Sequence, residues 1–199
     1  MPDVPDTFDE HTALIVVDVQ NDFADPGGNL YVAGGEQTIP IINDLITAAR
    51  DRGAAVVYTQ DWHPEVTPHF QDYGGTWPVH CVQGTWGAEL HPDLDVAGPV
   101  VRKGTGGEDG YSGFTARDVE TGEHKATDLE ALLRERDIQR VVIVGLAQDV
   151  CVKETALDAH RLGFDTTVRL DATRPVYPGA EGEQPANDQM AAAGVALSE

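Results

Sequence analysis

The stretch RVVIVGLAQDVCVKETALDAHRLG, residues 140–163, changes its pattern of apolar residues halfway along. Its first part, residues 141–144, is a run of β-branched side chains, which is typical of a strand covered on both faces. Its second part has apolar residues at helical spacing, namely Val152, Ala156, Ala159 and Leu162. Gly163 then ends the helix. The stretch therefore predicts a buried strand that leads directly into a helix, the repeating unit of an α/β fold.

A cysteine, Cys151, lies where this strand turns into the helix. With Asp149 as the N-cap, Cys151 falls in the first helical turn. There the unpaired N–H groups and the helix dipole stabilise a thiolate and lower the pKa of the thiol. The alternative is a buried cysteine that packs as a small apolar residue. Its position makes Cys151 a candidate nucleophile.

The same alternation of strands and helices continues along the rest of the chain. Further strands are predicted at 13–17, 54–60, 98–103 and 164–173, with a short edge strand at 195–197. Further helices are predicted at 35–53, at 127–138 and in the tail from residue 185. The stretch 61–97 shows little periodicity, which is typical of a functional loop, and 105–126 is also predicted as loop. This order predicts a single domain over residues 1–199 with a three-layer, Rossmann-like α/β fold. Its mainly parallel sheet would have five or six strands, with helices on both faces.

The composition excludes several classes of protein. The formal net charge is −21, from 34 acidic and 13 basic residues, so neither nucleic acid nor a membrane surface is expected as a partner. The sequence has no run of about 18 apolar residues, and its acidic N-terminus does not resemble a signal peptide, so a cytoplasmic location is expected. Three of the basic residues are lysines, which favours a surface adapted to high salt over an ordinary acidic protein. Two cysteines, Cys81 and Cys151, do not make a disulfide framework and are expected to be reduced.

Three polar residues follow three separate predicted strands. Asp18 follows the first strand, Lys103 ends the third, and Cys151 comes shortly after the strand at 140–145. Because the carboxyl ends of parallel strands meet at one edge of a sheet, these residues should lie together where ligands bind. Asp18 can take the thiol proton and return it to a leaving group, and Lys103 can hold both negative charges. The alternatives are an aspartate that caps a loop and a solvated lysine at a strand end.

The turn before Cys151 also offers backbone N–H groups to a substrate. In the segment GLAQDVC, the N–H groups of Ala147 and Cys151 are the preferred candidates. Such donors stabilise the charge that develops on a carbonyl oxygen during nucleophilic attack. The sequence therefore predicts an oxyanion hole at this turn.

A second group of polar residues follows the strand at 54–60. It comprises Asp61, His63, His69 and His80. Three imidazoles and one carboxylate suit a divalent ion such as zinc, iron or manganese, with waters in the remaining positions. The spacing matches neither a zinc finger nor a helical HExxH pair. The alternative is a set of loop histidines packed on Trp62 and Trp77.

Five motifs in order connect these residues to a known family. They are VVDVQNDF, DWHP, WPVHCVQGTWGAEL, RKGTGGEDGYSGF and GLAQDVCVKETALDA. Together they closely resemble the nicotinamidases of the isochorismatase-like cysteine hydrolases, over about residues 13–173. The chain departs from the family's pattern in the Pro- and Gly-rich segment 174–189 and in the acidic loop 104–114.

The resemblance implies a reaction and the residues that perform it. The reaction is hydrolysis of nicotinamide to nicotinate and ammonia, a step of NAD salvage. Cys151 would be the nucleophile that forms a thioester, Asp18 the general base and acid, and Lys103 the third member of the triad. Pyrazinamide, whose ring nitrogen is similarly placed, is expected to be a second substrate.

The resemblance also implies a metal and a substrate pocket. One divalent ion, with zinc as first choice and iron or manganese as alternatives, would hold the pyridine nitrogen of nicotinamide. Its ligands would be Asp61, His63, His69 and His80. Phe23, Trp77 and Leu146 would contact the substrate, and a cis peptide bond between Leu146 and Ala147 would shape the oxyanion hole.

Other functions stay open at this point. One is a different amidase of the same superfamily, acting on carbamoyl or ureido compounds, although most such relatives lack the three histidines. Another is a non-catalytic module that binds a metal or ligand, which would not need the set of aspartate, lysine and cysteine. The oligomeric state is also open, a homo-oligomer included.

Overall fold

A six-stranded sheet runs through the centre of the computed structural model, which describes residues 8–119 and 121–199. The strands are β1 (Thr12–Val17), β2 (Ala55–Asp61), β3 (Val100–Lys103), β4 (Thr115–Arg117), β5 (His124–Ala126), β6 (Arg140–Leu146), β7 (Asp165–Arg174) and β8 (Ala196–Ser198). The helices are α1 (Asn21–Ala24), α2 (Ile39–Asp51), α3 (Leu129–Arg134), α4 (Lys153–Arg161) and α5 (Glu183–Ala193). The order across the main sheet is β3-β2-β1-β6-β7-β8, and every neighbouring pair is parallel.

Both faces of this sheet are covered, and successive side chains of the central strand β1 are buried on opposite faces. Leu14 and Val16 belong to a core that β1 shares with α2. Ala13, Ile15 and Val17 belong to a second core, which is closed by α3, α4 and α5. Successive side chains of a strand point to opposite faces, so a strand buried on both sides reads as a continuous apolar run. The predicted fold class is confirmed, with six strands.

The junction between β6 and α4 differs from the prediction. The chain makes a π-helical turn, Gln148–Val152, and α4 begins only at Lys153. Asp149 does not cap this helix, because its carboxylate accepts the N–H groups of Val176 at 2.8 Å and Tyr177 at 2.9 Å. These partners lie beyond β7, and local spacing carries no information about them. Cys151 therefore lies in a π-helical turn and not in the first turn of an α-helix.

A small antiparallel hairpin, β4–β5, occupies part of the stretch predicted as loop. Thr115 pairs with Ala126, and Arg117 pairs with His124. Glu120, in the connection between the two strands, lies outside the described residues, as do residues 1–7, which the predicted domain includes. Within the described part of the chain, no helix is both long and apolar enough to cross a membrane.

The remaining helix boundaries differ from the prediction by a few residues. α3 ends at Arg134, four residues before the predicted end at 138. Asp137 has a φ of 53°, and the N–H of Ile138 returns to the carbonyl of Leu133, so the chain leaves the helix there. α5 begins at Glu183, two residues before the predicted start at 185.

Candidate active site

The three polar residues predicted to meet at the sheet edge are brought together. Asp18 follows β1 directly, Lys103 is the last residue of β3, and Cys151 lies in the turn after β6. Lys103 is at the centre: its Nζ lies 2.7 Å from Asp18 Oδ2 and 3.6 Å from Cys151 Sγ. It also lies 2.6 Å from Asp61 Oδ1 and donates to the carbonyl of Gly110. All of the side chains that surround the ammonium are buried.

Burial and the single ammonium set the protonation states of this cluster. Burial raises the pKa of the Asp18 carboxyl to about 6, against the lowering effect of Lys103. For Asp61 the balance is reversed: burial opposes ionisation, but Lys103 and His63 together hold its pKa well below the usual range. Burial would lower the pKa of Lys103, but the carboxylates of Asp18 and Asp61 outweigh it and raise the pKa well above its usual value.

The pKa of the Cys151 thiol differs from the one predicted from the sequence. A lowered pKa was expected for Cys151, and this expectation is wrong. Burial raises the pKa of the Cys151 thiol well above its usual range, and the attraction of Lys103 offsets only part of that effect. A neutral thiol is therefore the resting form. It needs a base at the moment of reaction, and of the two carboxylates beside the same ammonium Asp18 has the higher pKa and suits that role.

Next to this cluster, the three predicted histidine ligands converge. One ring nitrogen from each of His63, His69 and His80 lies within 4.8 Å of the others. Asp61 reaches the same place, because its Oδ2 is 3.5 Å from His63 Nε2 and 3.8 Å from His80 Nε2. Asp61 thus bridges the two halves of the site, with one oxygen on Lys103 and the other towards the histidines.

The hydrogen bonds of the histidines fit a metal ion. His69 Nδ1 lies 2.6 Å from Asp109 Oδ1, and His80 Nδ1 lies 2.7 Å from the carbonyl of Pro78, so the second nitrogen of each ring is left for a ligand. Both ring nitrogens of His63 are buried, and neither has a hydrogen-bond partner among the residues that the structure describes. Burial also lowers the pKa of His69, although Asp109 opposes this, and a neutral imidazole is the form that binds metals. This donor set suits one divalent ion.

A second possible ligand group, Asp18, Asp61 and Cys151, does not fit a metal ion in the same way. The ammonium of Lys103 lies within 3.6 Å of all three side chains. This ammonium already occupies the space among the three side chains, so a second cation there would meet repulsion. This group is an ion-pair cluster.

A pocket opens onto both clusters. Its walls include two of the predicted substrate contacts, Phe23 and Trp77, together with Ala147 and Cys151. The remaining lining residues are Leu30, Val32, Asp61, His69, His80, Tyr111, Val150 and Val176. The peptide bond between Leu146 and Ala147 is cis, as the resemblance implies. The side chain of Leu146 is buried in the core and does not line this pocket.

Several residues that support the site were not predicted from the sequence. Thr59 Oγ1 donates to Asp18 Oδ1 at 2.7 Å, and Gln20 bonds both the N–H and the carbonyl of Asp61. Asp109 contacts His69, and the hydroxyl of Tyr111 accepts the indole N–H of Trp77 at 3.0 Å. The sequence could have indicated Thr59, since it lies two residues before Asp61 on the same strand. For Asp109 the sequence offers no indication beyond its place in an acidic loop.

Comparison with known proteins places this chain in a family. The isochorismatase domain family matches residues 12–199. The chain therefore belongs to the isochorismatase domain family. It is 45% identical to a nicotinamidase of Acinetobacter baylyi over 183 residues, which cover 82% of this chain and 81% of the relative.

Two solved structures share both the fold and a substantial part of the sequence. The pyrazinamidase of Pyrococcus horikoshii in complex with zinc has a TM-score of 0.84 and 40% identity, over 95% of this chain and 99% of that one. PnC1 from L. infantum in complex with nicotinate has a TM-score of 0.88 and 38% identity, over 97% of this chain and 95% of that one.

Proposed function

We propose that this protein is a metal-dependent cysteine amidohydrolase that converts nicotinamide to nicotinate and ammonia, as a step of NAD salvage. The observation that carries the proposal is the position of Cys151, with its thiol 3.6 Å from Lys103 Nζ, in a pocket that is also lined by two of the three convergent histidines, His69 and His80. The family match and the nicotinamidase and pyrazinamidase relatives support the same reaction.

The first half of the proposed reaction forms a thioester. Asp18 accepts the proton of the Cys151 thiol, and the sulfur attacks the carboxamide carbon. The N–H groups of Ala147 and Cys151 stabilise the negative charge on the carboxamide oxygen. Asp18 then returns the proton to the nitrogen, the C–N bond breaks, and ammonia leaves.

The second half releases the acid. Asp18, ionised again, accepts a proton from a water molecule that attacks the thioester carbon. The C–S bond breaks, the sulfur recovers the proton from Asp18, and the acid leaves and loses its remaining proton to water to give nicotinate. Lys103 remains charged throughout, and its ammonium contacts both the carboxylate of Asp18 and the sulfur of Cys151. Phe23 and Trp77 provide apolar walls for the pyridine ring.

One divalent ion would be held by Asp61, His63, His69 and His80. We propose zinc, supported by the zinc complex of the Pyrococcus horikoshii pyrazinamidase, with iron or manganese as the alternatives. When bound, the ion supplies a partner for the pyridine nitrogen, which orients the carboxamide towards Cys151. The chain's own contribution is to bury the three rings and to engage Nδ1 of His69 and of His80 in hydrogen bonds, which leaves the other nitrogen of each ring for the ion.

Ammonia release from nicotinamide tests the proposal. The wild-type protein is assayed as purified, after chelation, and after return of zinc, iron or manganese, in low and high salt. Cys151→Ala should reduce the rate to the background of the assay, whereas Cys81→Ala, which removes the other buried thiol, should keep most of the activity. Pyrazinamide should be hydrolysed under the same conditions.

Two outcomes would contradict the proposal. If no metal in either salt condition gives ammonia from nicotinamide, the protein acts on another amide or only binds a ligand. If Cys151→Ala remains active, the nucleophile is wrong. Trapping of an acylated Cys151, seen as a mass increase of the intact protein after acid quenching, would support the thioester directly.

A further inference from the structure

Asp109 makes a close contact that the proposed mechanism does not use. Its Oδ1 lies 2.6 Å from His69 Nδ1, and its side chain is 15% exposed against 3% for His69. A carboxylate in this position accepts a hydrogen bond from Nδ1–H, which fixes the tautomer of the ring and leaves the lone pair of Nε2 free. The negative charge also makes that lone pair more basic.

The two residues that follow Asp109 also contact the site. The carbonyl of Gly110 accepts a hydrogen bond from Lys103 Nζ. Tyr111 lines the pocket, and its ring centroid lies 5.7 Å from that of His69. Three consecutive residues therefore contact a predicted metal ligand, the central lysine and the pocket wall. A displacement of this segment would disturb all three places.

The hairpin β4–β5 holds this segment in place. The N–H of Asp109 donates to the carbonyl of Arg117 at 2.8 Å, and the N–H of Arg117 donates to the carbonyl of Asp109 at 2.8 Å. Arg117 is the last residue of β4 and pairs with His124 of β5. The backbone of Asp109 is thus fixed by two hydrogen bonds, in the pattern of an antiparallel pair.

From this geometry we propose that Asp109 is a positioning residue for the metal site, which orients His69 and strengthens it as a ligand. The hairpin β4–β5 serves to hold the Asp109 backbone at the required distance. This inference rests on the proposed function, because it assigns His69 to a metal ion. It adds a second carboxylate, outside the set of metal ligands, on which metal affinity depends.

Metal affinity is the decisive measurement. The zinc dissociation constants of wild-type protein and Asp109→Asn are measured by competition with a chromophoric chelator, and ammonia release is followed over a zinc titration. The constant should rise about 10- to 100-fold in the variant. Excess zinc should restore most of kcat, because Asp109 acts through the metal and not on the substrate. The melting temperature of the metal-free variant should remain close to that of the wild type.

Glu108→Gln is the matched control. It removes the same charge one residue away, and the Glu108 carboxylate accepts the N–H of Gly106. Its zinc affinity should equal that of the wild type. If Asp109→Asn does not fold, Asp109→Glu, which keeps the charge but lengthens the side chain, is measured in its place and should also bind zinc more weakly.

The outcomes separate this inference from the proposed function. A wild type that neither binds zinc nor releases ammonia overturns both. A wild type that does both, with a variant whose zinc affinity is within twofold of it, overturns the role of Asp109 alone. A loss of activity that excess zinc does not restore also overturns it, since the defect would then lie elsewhere in the site.

Discussion

Asp18 and Asp61 share one buried ammonium, but their pKa values differ because the histidines lie beside Asp61. Lys103 Nζ lies 2.7 Å from one and 2.6 Å from the other, so it cannot fully compensate two negative charges in a buried site. The histidines help to keep Asp61 ionised, whereas burial raises the pKa of Asp18 to about 6. The proton therefore goes to Asp18 first. An ionised Asp61 suits a metal ligand, and an Asp18 that titrates near neutral pH suits an acid–base group.

The first prediction concerns the pH dependence of the reaction. Asp18 must be ionised to accept the thiol proton, so kcat/KM for nicotinamide should rise with pH through about 6 and then level off. Bound metal is quantified at each pH, so that loss of the ion is not mistaken for protonation of Asp18. Asp18→Asn should be inactive at every pH. A kcat/KM that is constant from pH 5 to 8 at full metal occupancy would contradict this role.

The second prediction concerns the resting thiol. Since burial raises the pKa of Cys151, little thiolate is present at neutral pH, and alkylation by iodoacetamide should accelerate continuously as the pH rises towards 9. Mass spectrometry of the modified protein gives the rate at Cys151, and Cys151→Ala gives the background from Cys81. A fast rate that is already constant below pH 7 would show a preformed thiolate and would contradict the raised pKa.

At the scale of elements, the strands position the site and the short segments after them supply its chemistry. Gly104 follows β3 and has a φ of 70°, a region in which glycine pays no steric penalty. A Cβ at this position would lie 2.5 Å from His63 Cε1 and 2.7 Å from its Nδ1. The absence of a side chain therefore lets the loop after β3 lie against the ring of a predicted metal ligand.

The third prediction is that Gly104→Ala weakens zinc binding as well as stability. Its control is Gly53→Ala, because Gly53 has a similar φ of 76°, and an added Cβ there would have no described atom within 4 Å apart from those of its chain neighbours. Both variants should lose about 1–2 kcal/mol of unfolding free energy from backbone strain. Only Gly104→Ala should also displace His63 and bind zinc more weakly, measured by chelator competition. Equal zinc affinity in the two variants would show that the close approach is unimportant.

The sequence predicted the strands and the strand-end residues well, because both depend on local patterns. Apolar runs located β1 and β6, and the rule for parallel sheets gathered Asp18 and Lys103 at one edge. The hairpin β4–β5 was missed because its three-residue strands are mostly polar and show no alternation. Asp109 was missed because its partner, His69, is 40 residues away in the chain. Such contacts follow from tertiary structure and leave no periodic signal.

On the scale of the whole molecule, the net charge of −21 is the dominant electrostatic property. Self-repulsion of this kind destabilises a compact state in dilute buffer. At 1 M salt the screening length falls to about 3 Å, which removes most of the repulsion between exposed charges. The cluster around Lys103 is screened far less, because its side chains are buried.

The fourth prediction is therefore that the stability of the folded protein depends on salt. The melting temperature should rise between dilute buffer and molar KCl, by about 2–4 °C for each kcal/mol of repulsion removed. A neutral osmolyte at the same osmolality serves as the control and should give a smaller increase. A melting temperature that does not change with KCl would reject an adaptation to high salt.

The order of strands in the sheet also determines when the site can form during synthesis. β1 lies between β2 and β6, and residue 12 pairs with residue 140. The ribosome releases the N-terminal part first, so a nascent chain that ends before β6 already contains Asp61 and Lys103 but has no Cys151. In that state one edge of β1 is unpaired and open to association with other strands. Of the side chains proposed for catalysis and metal binding, the nucleophile is thus the last to emerge, and until then the unpaired edge of β1 exposes the unfinished chain to aggregation.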